Sequence, residues 1–264
     1  MHGFPILMYH RITSGSCPVP DGDREEARYA VPLVEFIWQL DCIAGMGLRG
    51  VSMREAHGEL LAGRPVPREW VVLTFDDGNS SDHVHARPLL RERGFSATFF
   101  VADCRIGVVG GLEPGTIRAL ADDAMDVGSH GMTHRFLTTL TPAEEFEELA
   151  RSKGVLEELS GGPVRYFAPP GGRMSDRTAS ASQRASYQAV CTSEFGFNSR
   201  TRQQYAYKRI PIVAATSRAC YRRVVAGDAV RLAPLYLKQR VLRLARAVLG
   251  EARYGKLRAR GLGS

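Results

Sequence analysis

Six strand-forming residues, Trp70 to Phe75 (WVVLTF), stop abruptly at Asp76-Asp77-Gly78. So short an apolar run, closed by a turn signal and followed by a helical stretch at about 86–93 and a stop at Gly94, reads as a buried strand feeding a helix. The unit repeats: residues 97–101 (ATFFV) form a strand and 116–126 a helix, and Val127-Gly128-Ser129 leads into a His-rich turn. Residues 142–159 form a long helix with acids in its first turn, where the helix dipole favours them. Residues 4–9, 164–168, 189–192 and 208–213 read as further strands. Residues 32–46 and 52–61 read as helices, the second opened by a Ser-x-x-Glu capping box, and 13–28 as a long loop. Such alternation predicts an α/β fold with a parallel sheet or barrel, whose chemistry gathers at the C-terminal strand ends.

The chain has 264 residues, 44% hydrophobic and 24% charged, which excludes disordered, collagen-like and coiled-coil classes. No apolar run approaches the ~18 residues of a membrane span. Residues 1–10 lack a basic and an apolar leader region, so no signal peptide is expected. The five cysteines are scattered without CxxC spacing and read as reduced thiols, which points to a cytoplasmic protein.

The net charge of +7 is concentrated at one end: nine Lys or Arg and a single acid, Glu251, lie from Arg231 onward. The remaining body carries 26 bases against 27 acids, which argues against a nucleic-acid partner. The expected organisation is therefore a catalytic body over 1–230 and a basic tail over 231–264. Within the tail, Leu237, Val241, Leu244, Ala245, Val248 and Leu249 share one helical face, opposite Arg240, Arg243 and Arg246. Two readings stay open for it: a helix docked on the body with its basic face in water, or attachment to an anionic membrane or a lipid-linked pyrophosphate sugar.

Asp76 and Asp77 repel one another unless a cation or hydrogen bonds hold both ionised. By itself such a pair is more often a turn. His130 and His134, four apart in SHGMTH, can turn both imidazoles to one side, and two His with a carboxylate are a common hydrolytic metal set. His2, His57, His83 and His85 are expected in surface or loop positions.

Thr74-Phe75-Asp76-Asp77-Gly78, followed by Ser129-His130-Gly131-Met132-Thr133-His134, resembles the first two motifs of the polysaccharide deacetylase (NodB-homology) family of carbohydrate esterases. Tyr166 to Gly172 (YFAPPGG) resembles the third. The resemblance implies a distorted (β/α) barrel of seven strands, here with a C-terminal amphipathic helix. It implies that Asp77, His130 and His134 bind one divalent metal, zinc first and cobalt or nickel as alternatives, and that Asp76 is the general base. Gly171 would supply an oxyanion N–H, which Pro169 and Pro170 cannot, and Pro170 and Tyr9 would line the substrate.

Two departures stand out. Ala168 replaces the usual third-motif Arg that orients the catalytic Asp; Arg173 and Arg209 are the candidates to supply that charge, and each reads equally as a surface or strand-end Arg. No His follows His134, but Leu7-Met8-Tyr9-His10 resembles the circularly permuted branch of the family, where His10 becomes the general acid. The implied activity is metal-dependent removal of an N-acetyl group from an amino sugar. The alternatives are hydrolysis of another C–N bond, such as a cyclic ureide, and a non-catalytic carbohydrate-binding relative.

Overall fold

A computed structural model describes residues 3–15, 17 and 24–228. The basic tail lies outside the described residues. Strands Ile6–Tyr9, Trp70–Phe75, Thr98–Val101, Asp126–Ser129, Tyr166–Phe167 and Ala189–Cys191 pair side by side, all parallel. The two ends of this sheet are joined by one stretch of chain. Ala206–Tyr207 pairs with Ala189–Cys191, and two residues later Ile210–Pro211 pairs with Ile6–Tyr9. Counting residues 206–211 as one interrupted strand gives a distorted barrel of seven. At the interruption the Asn198 side chain serves both backbone groups of Lys208: Nδ2 donates to its carbonyl at 2.8 Å, and Oδ1 accepts from its N–H at 2.9 Å. A short strand, Arg49–Val51, adds to the start of Trp70–Phe75.

Successive strand residues face opposite sides, and the core divides accordingly. Leu7, Tyr9, Leu73, Phe75, Phe99, Val101, Val127 and Val190 pack outward against Phe36, Leu40 and Ile43 of helix Leu33–Gly45, and against Leu149 and Leu156 of helix Pro142–Ser160. Ile6, Val72, Phe100, Tyr166, Ala168, Ala189, Cys191 and Tyr207 form a separate inner cluster. Helix Met53–Leu61 plugs that interior with Met53, Ala56 and Leu60. Its Ser52–Glu55 capping box is formed, and the Met53 N–H donates to Thr98 Oγ1 at the N-terminal end of a barrel strand.

Several local expectations are corrected. His57 is not a surface residue: it is buried among barrel side chains, its ring edge-on to Tyr166 and Tyr207. The expected loop over 13–28 contains helix Arg24–Tyr29, and Arg11–Thr13 pairs with Ala30–Pro32. The helix expected over 116–126 is Pro114–Asp122, and Asp126–Ser129 is a barrel strand. No described helix is long and apolar enough to cross a membrane.

Candidate metal and catalytic site

Strand parity decides which side chains reach the barrel mouth. His10, Asp76 and His130 each lie just past a strand end and two residues beyond the inward positions Met8, Thr74 and Gly128, so all three inherit the inward direction. Tyr9 has the opposite parity. It is fully buried on the helix side and donates to Gln39 Oε1 at 2.9 Å, so the expectation that it lines the substrate is corrected.

Asp77 and His134 reach the site by another route. Among the described residues only four non-glycines have positive φ, and these are two of them, at 80° and 58°. Left-handed backbone is costly outside glycine, and such residues cluster at functional sites. Here the turns bring Asp77 Oδ1 to 3.2 Å from His134 Nε2 and 3.4 Å from His130 Nε2. One ligand atom from each of the three lies within 4.8 Å of the others. Ligands ~2.1 Å from a tetrahedral zinc stand ~3.4 Å apart, so the cluster has the span of a metal set.

The hydrogen bonding fits the same reading. His130 Nδ1 lies 2.7 Å from the Ala168 carbonyl, to which only an N–H can donate, so a neutral ring turns its Nε2 lone pair toward Asp77. A lone pair facing a carboxylate requires positive charge between or upon them. Burial opposes charge on His130, but the hydrogen bond to Asp77 and the charges of Asp76 and Asp77 outweigh it and raise its pKa. His130 is buried while His134 is 39% exposed, which leaves one side of the cluster open to solvent.

Asp76 sits beneath this opening, buried, with both oxygens gripped by Arg209: Nη1 to Oδ1 at 2.6 Å and Nη2 to Oδ2 at 2.8 Å. Burial pushes the Asp76 carboxyl up, but Arg209 and the nearby imidazoles more than offset this and hold it below its ordinary value. Arg209 is itself fully buried, donates through Nε to the Thr192 carbonyl, and lies 5.4 Å from the Phe100 ring centre. Of the two arginines weighed against Ala168, Arg209 takes the pairing role. Arg173 instead stacks over Phe136 at 3.9 Å. Alternation with Tyr207 puts Arg209 on the inner side of the closing segment, but its pairing with Asp76 exists only once the barrel closes.

His10 stacks on Tyr29 with ring centres 4.3 Å apart, and its Nδ1 is buried without a hydrogen-bond partner. Burial lowers its pKa, opposed by the charges of Asp77 and Asp76, so its ring lies within electrostatic reach of both aspartates. Gly171 lies in the turn Pro170–Gly172 with φ 67°, and a Cβ there would stand 2.6 Å from the Phe136 ring. Pro170 is buried beside it. His83 and His85 lie on the turn Asp82–Ala86, where His85 Nε2 is 2.7 Å from Ser14 Oγ.

The family model described as polysaccharide deacetylase matches residues 63–190. YxkH of Bacillus subtilis, provisionally named a polysaccharide deacetylase, is 28% identical over 82% of this chain and 74% of its own. IcaB from Ammonifex degensii is 27% identical, with a TM-score of 0.70 over 86% of this chain and 97% of that one. A deacetylase of Streptococcus pyogenes, solved with acetate, shares the fold with a TM-score of 0.75 at 24% identity, over 84% of this chain and 98% of its own. Barrel, site and family model agree on a carbohydrate esterase architecture. The chain belongs to the polysaccharide deacetylase (NodB-homology) family.

Proposed function

We propose that this protein is a metal-dependent hydrolase that removes the N-acetyl group from an amino sugar of a glycan, glycan intermediate or glycoconjugate. The observation that carries the reading is the convergence of Asp77, His130 and His134 beside the Asp76–Arg209 pair at one barrel mouth. Asp77, His130 and His134 hold the ion, with zinc favoured by a two-imidazole, one-carboxylate donor set. A divalent ion there supplies Lewis-acid polarisation of the attacking water and of the acetyl carbonyl.

The chain's own groups do the rest. Asp76, kept ionised and oriented by Arg209, accepts the proton of the attacking water. The Gly171 N–H donates to the oxyanion. His10 hands a proton to the departing amine, which is a poor leaving group without it. The place of Ile6–Tyr9 between Trp70–Phe75 and the closing segment supports reading it as the permuted counterpart of the family's last strand. Arg209 answers the one feature, Ala168, that suggested a binding-only relative.

The test is acetate release from N-acetylglucosamine oligomers by protein stripped with a chelator and reloaded with zinc. Activity lost on stripping and regained on reloading is expected. Zinc-loaded protein that releases no acetate from free, polymeric or lipid-linked amino sugars overturns the reading.

A further inference from the structure

Helix Pro142–Ser160 turns Glu148 toward the backbone of the turn between His130 and His134. Its Oε2 accepts from the N–H of Met132 at 2.8 Å and from that of Thr133 at 2.9 Å, and its Oε1 accepts from the Thr133 hydroxyl. Glu148 is 2% exposed. One helical turn on, Ser152 donates to Asp103 Oδ1 at 2.7 Å and accepts from Ser129 Oγ at 2.8 Å, which in turn accepts the Gly131 N–H at 3.1 Å. The carbonyls of Gly131 and Met132 accept from the N–H groups of Asp103 and Cys104. Every backbone polar group of Gly131 and Met132, and the Thr133 N–H, therefore has a fixed partner. Glu148 alone holds two of those N–H groups, on residues that lie between His130 and His134 in the chain.

We propose that Glu148 is a positioning residue for the metal site: it fixes the Met132–Thr133 backbone so that His130 and His134 present their Nε2 atoms to one point. The inference rests on the metal reading above. A turn with residues at positive φ, Gly131 at 84° and His134 at 58°, has no regular ladder to hold it. Without the carboxylate, the Met132 and Thr133 N–H groups lose their common acceptor and the turn is free to relax toward other partners. Partners that orient ligands in this indirect way typically carry 10–100-fold in metal affinity.

The test measures zinc dissociation constants by competition with a chromophoric chelator, alongside the thermal midpoint of the metal-free protein. Glu148→Ala is expected to weaken zinc binding about 10–100-fold. Glu148→Gln should restore most of the affinity, because its amide oxygen still accepts both N–H groups and its NH2 can donate to Thr133 Oγ1. Should Glu148→Ala not fold, Glu148→Asp, one methylene too short, takes its place with the same expectation. Unchanged affinity beside a lowered metal-free midpoint makes the role purely structural and overturns the inference. Glu148→Gln as weak as Glu148→Ala overturns it in favour of charge. Wild-type protein that takes up no zinc overturns the metal reading as well, an outcome distinct from the other two.

Discussion

Arg209 reaches across the Ile6–Tyr9 strand and clamps both carboxylate oxygens of Asp76, at 2.6 and 2.8 Å, with both side chains removed from water. Taking one partner from such a pair leaves the other charge buried and costs about 3–5 kcal/mol. Asp76→Asn and Arg209→Met should each destabilise the fold, and the double variant should lose less than their sum in urea titrations. Asp76→Asn should also nearly abolish turnover while zinc stays bound, because Asp76 acts on water and does not hold the ion.

The same pair predicts a pH effect. Burial raises the Asp76 pKa, and Arg209 is the largest influence holding it down. Without Arg209 the carboxylate titrates at higher pH, so less of the base form exists at a given acidic pH. The acid limb of the kcat/KM profile should therefore move to higher pH in Arg209→Met. An unmoved limb would detach Asp76 from the base role or Arg209 from its control.

His10 offers a test that separates proton donation from packing. His10→Ala should slow amide cleavage by about 10²–10⁴-fold with metal content retained. A p-nitrophenyl acetate substrate, whose leaving group departs without a proton, should be spared most of that loss. Equal losses on both substrates would make His10 a packing partner of Tyr29.

Much of this site was legible because parallel strands advertise themselves as apolar runs. Once Trp70–Phe75 is a strand, Asp76 must lie at its C-terminal end. Tyr9 was misplaced because parity was not applied: if His10 faces the barrel, Tyr9 faces the helices. Arg209 could not be chosen from sequence because its partner stands 133 residues earlier, and only barrel closure joins them. Helix Asp176–Arg184 left no apolar pattern, since its buried residues are Thr178, Ala181 and Ser182. Glu148 looks like any acid on a polar helix until the Met132 and Thr133 N–H groups are placed beneath it.

Asp126, far from the mouth, carries a stability prediction. It is buried, accepts from Thr98 Oγ1 at 3.0 Å, and has its pKa raised to about 6, chiefly by burial. A folded value above the ordinary 3.8 means the folded state binds the proton more tightly. The resulting stability is full below about pH 4 and is lost as pH rises through about 6. Asp126→Asn removes the titration and keeps the acceptor. It should gain on the order of 2–3 kcal/mol over wild type at pH 8 and nothing at pH 4. Urea midpoints at the two pH values check this, and an equal gain at both would assign the effect to packing.

Gly171 tests the oxyanion donor through backbone shape alone. Its φ of 67° suits glycine, and a Cβ would meet Phe136 at 2.6 Å. Phe136 is 40% exposed, with Arg173 over one face of its ring, and can shift away, but an alanine at this φ is strained whatever the space. Gly171→Ala must therefore rotate the peptide, and with it the N–H aimed at the developing oxyanion. Loss of one such donor costs about 10²–10³ in kcat. Because that hydrogen bond strengthens only as the carbonyl carbon becomes tetrahedral, KM should change little. Replacing Phe136 by alanine in the same chain removes the clash but not the backbone preference, so it should recover part of the rate. A Gly171→Ala variant with full kcat would move the oxyanion donor to another group at the mouth.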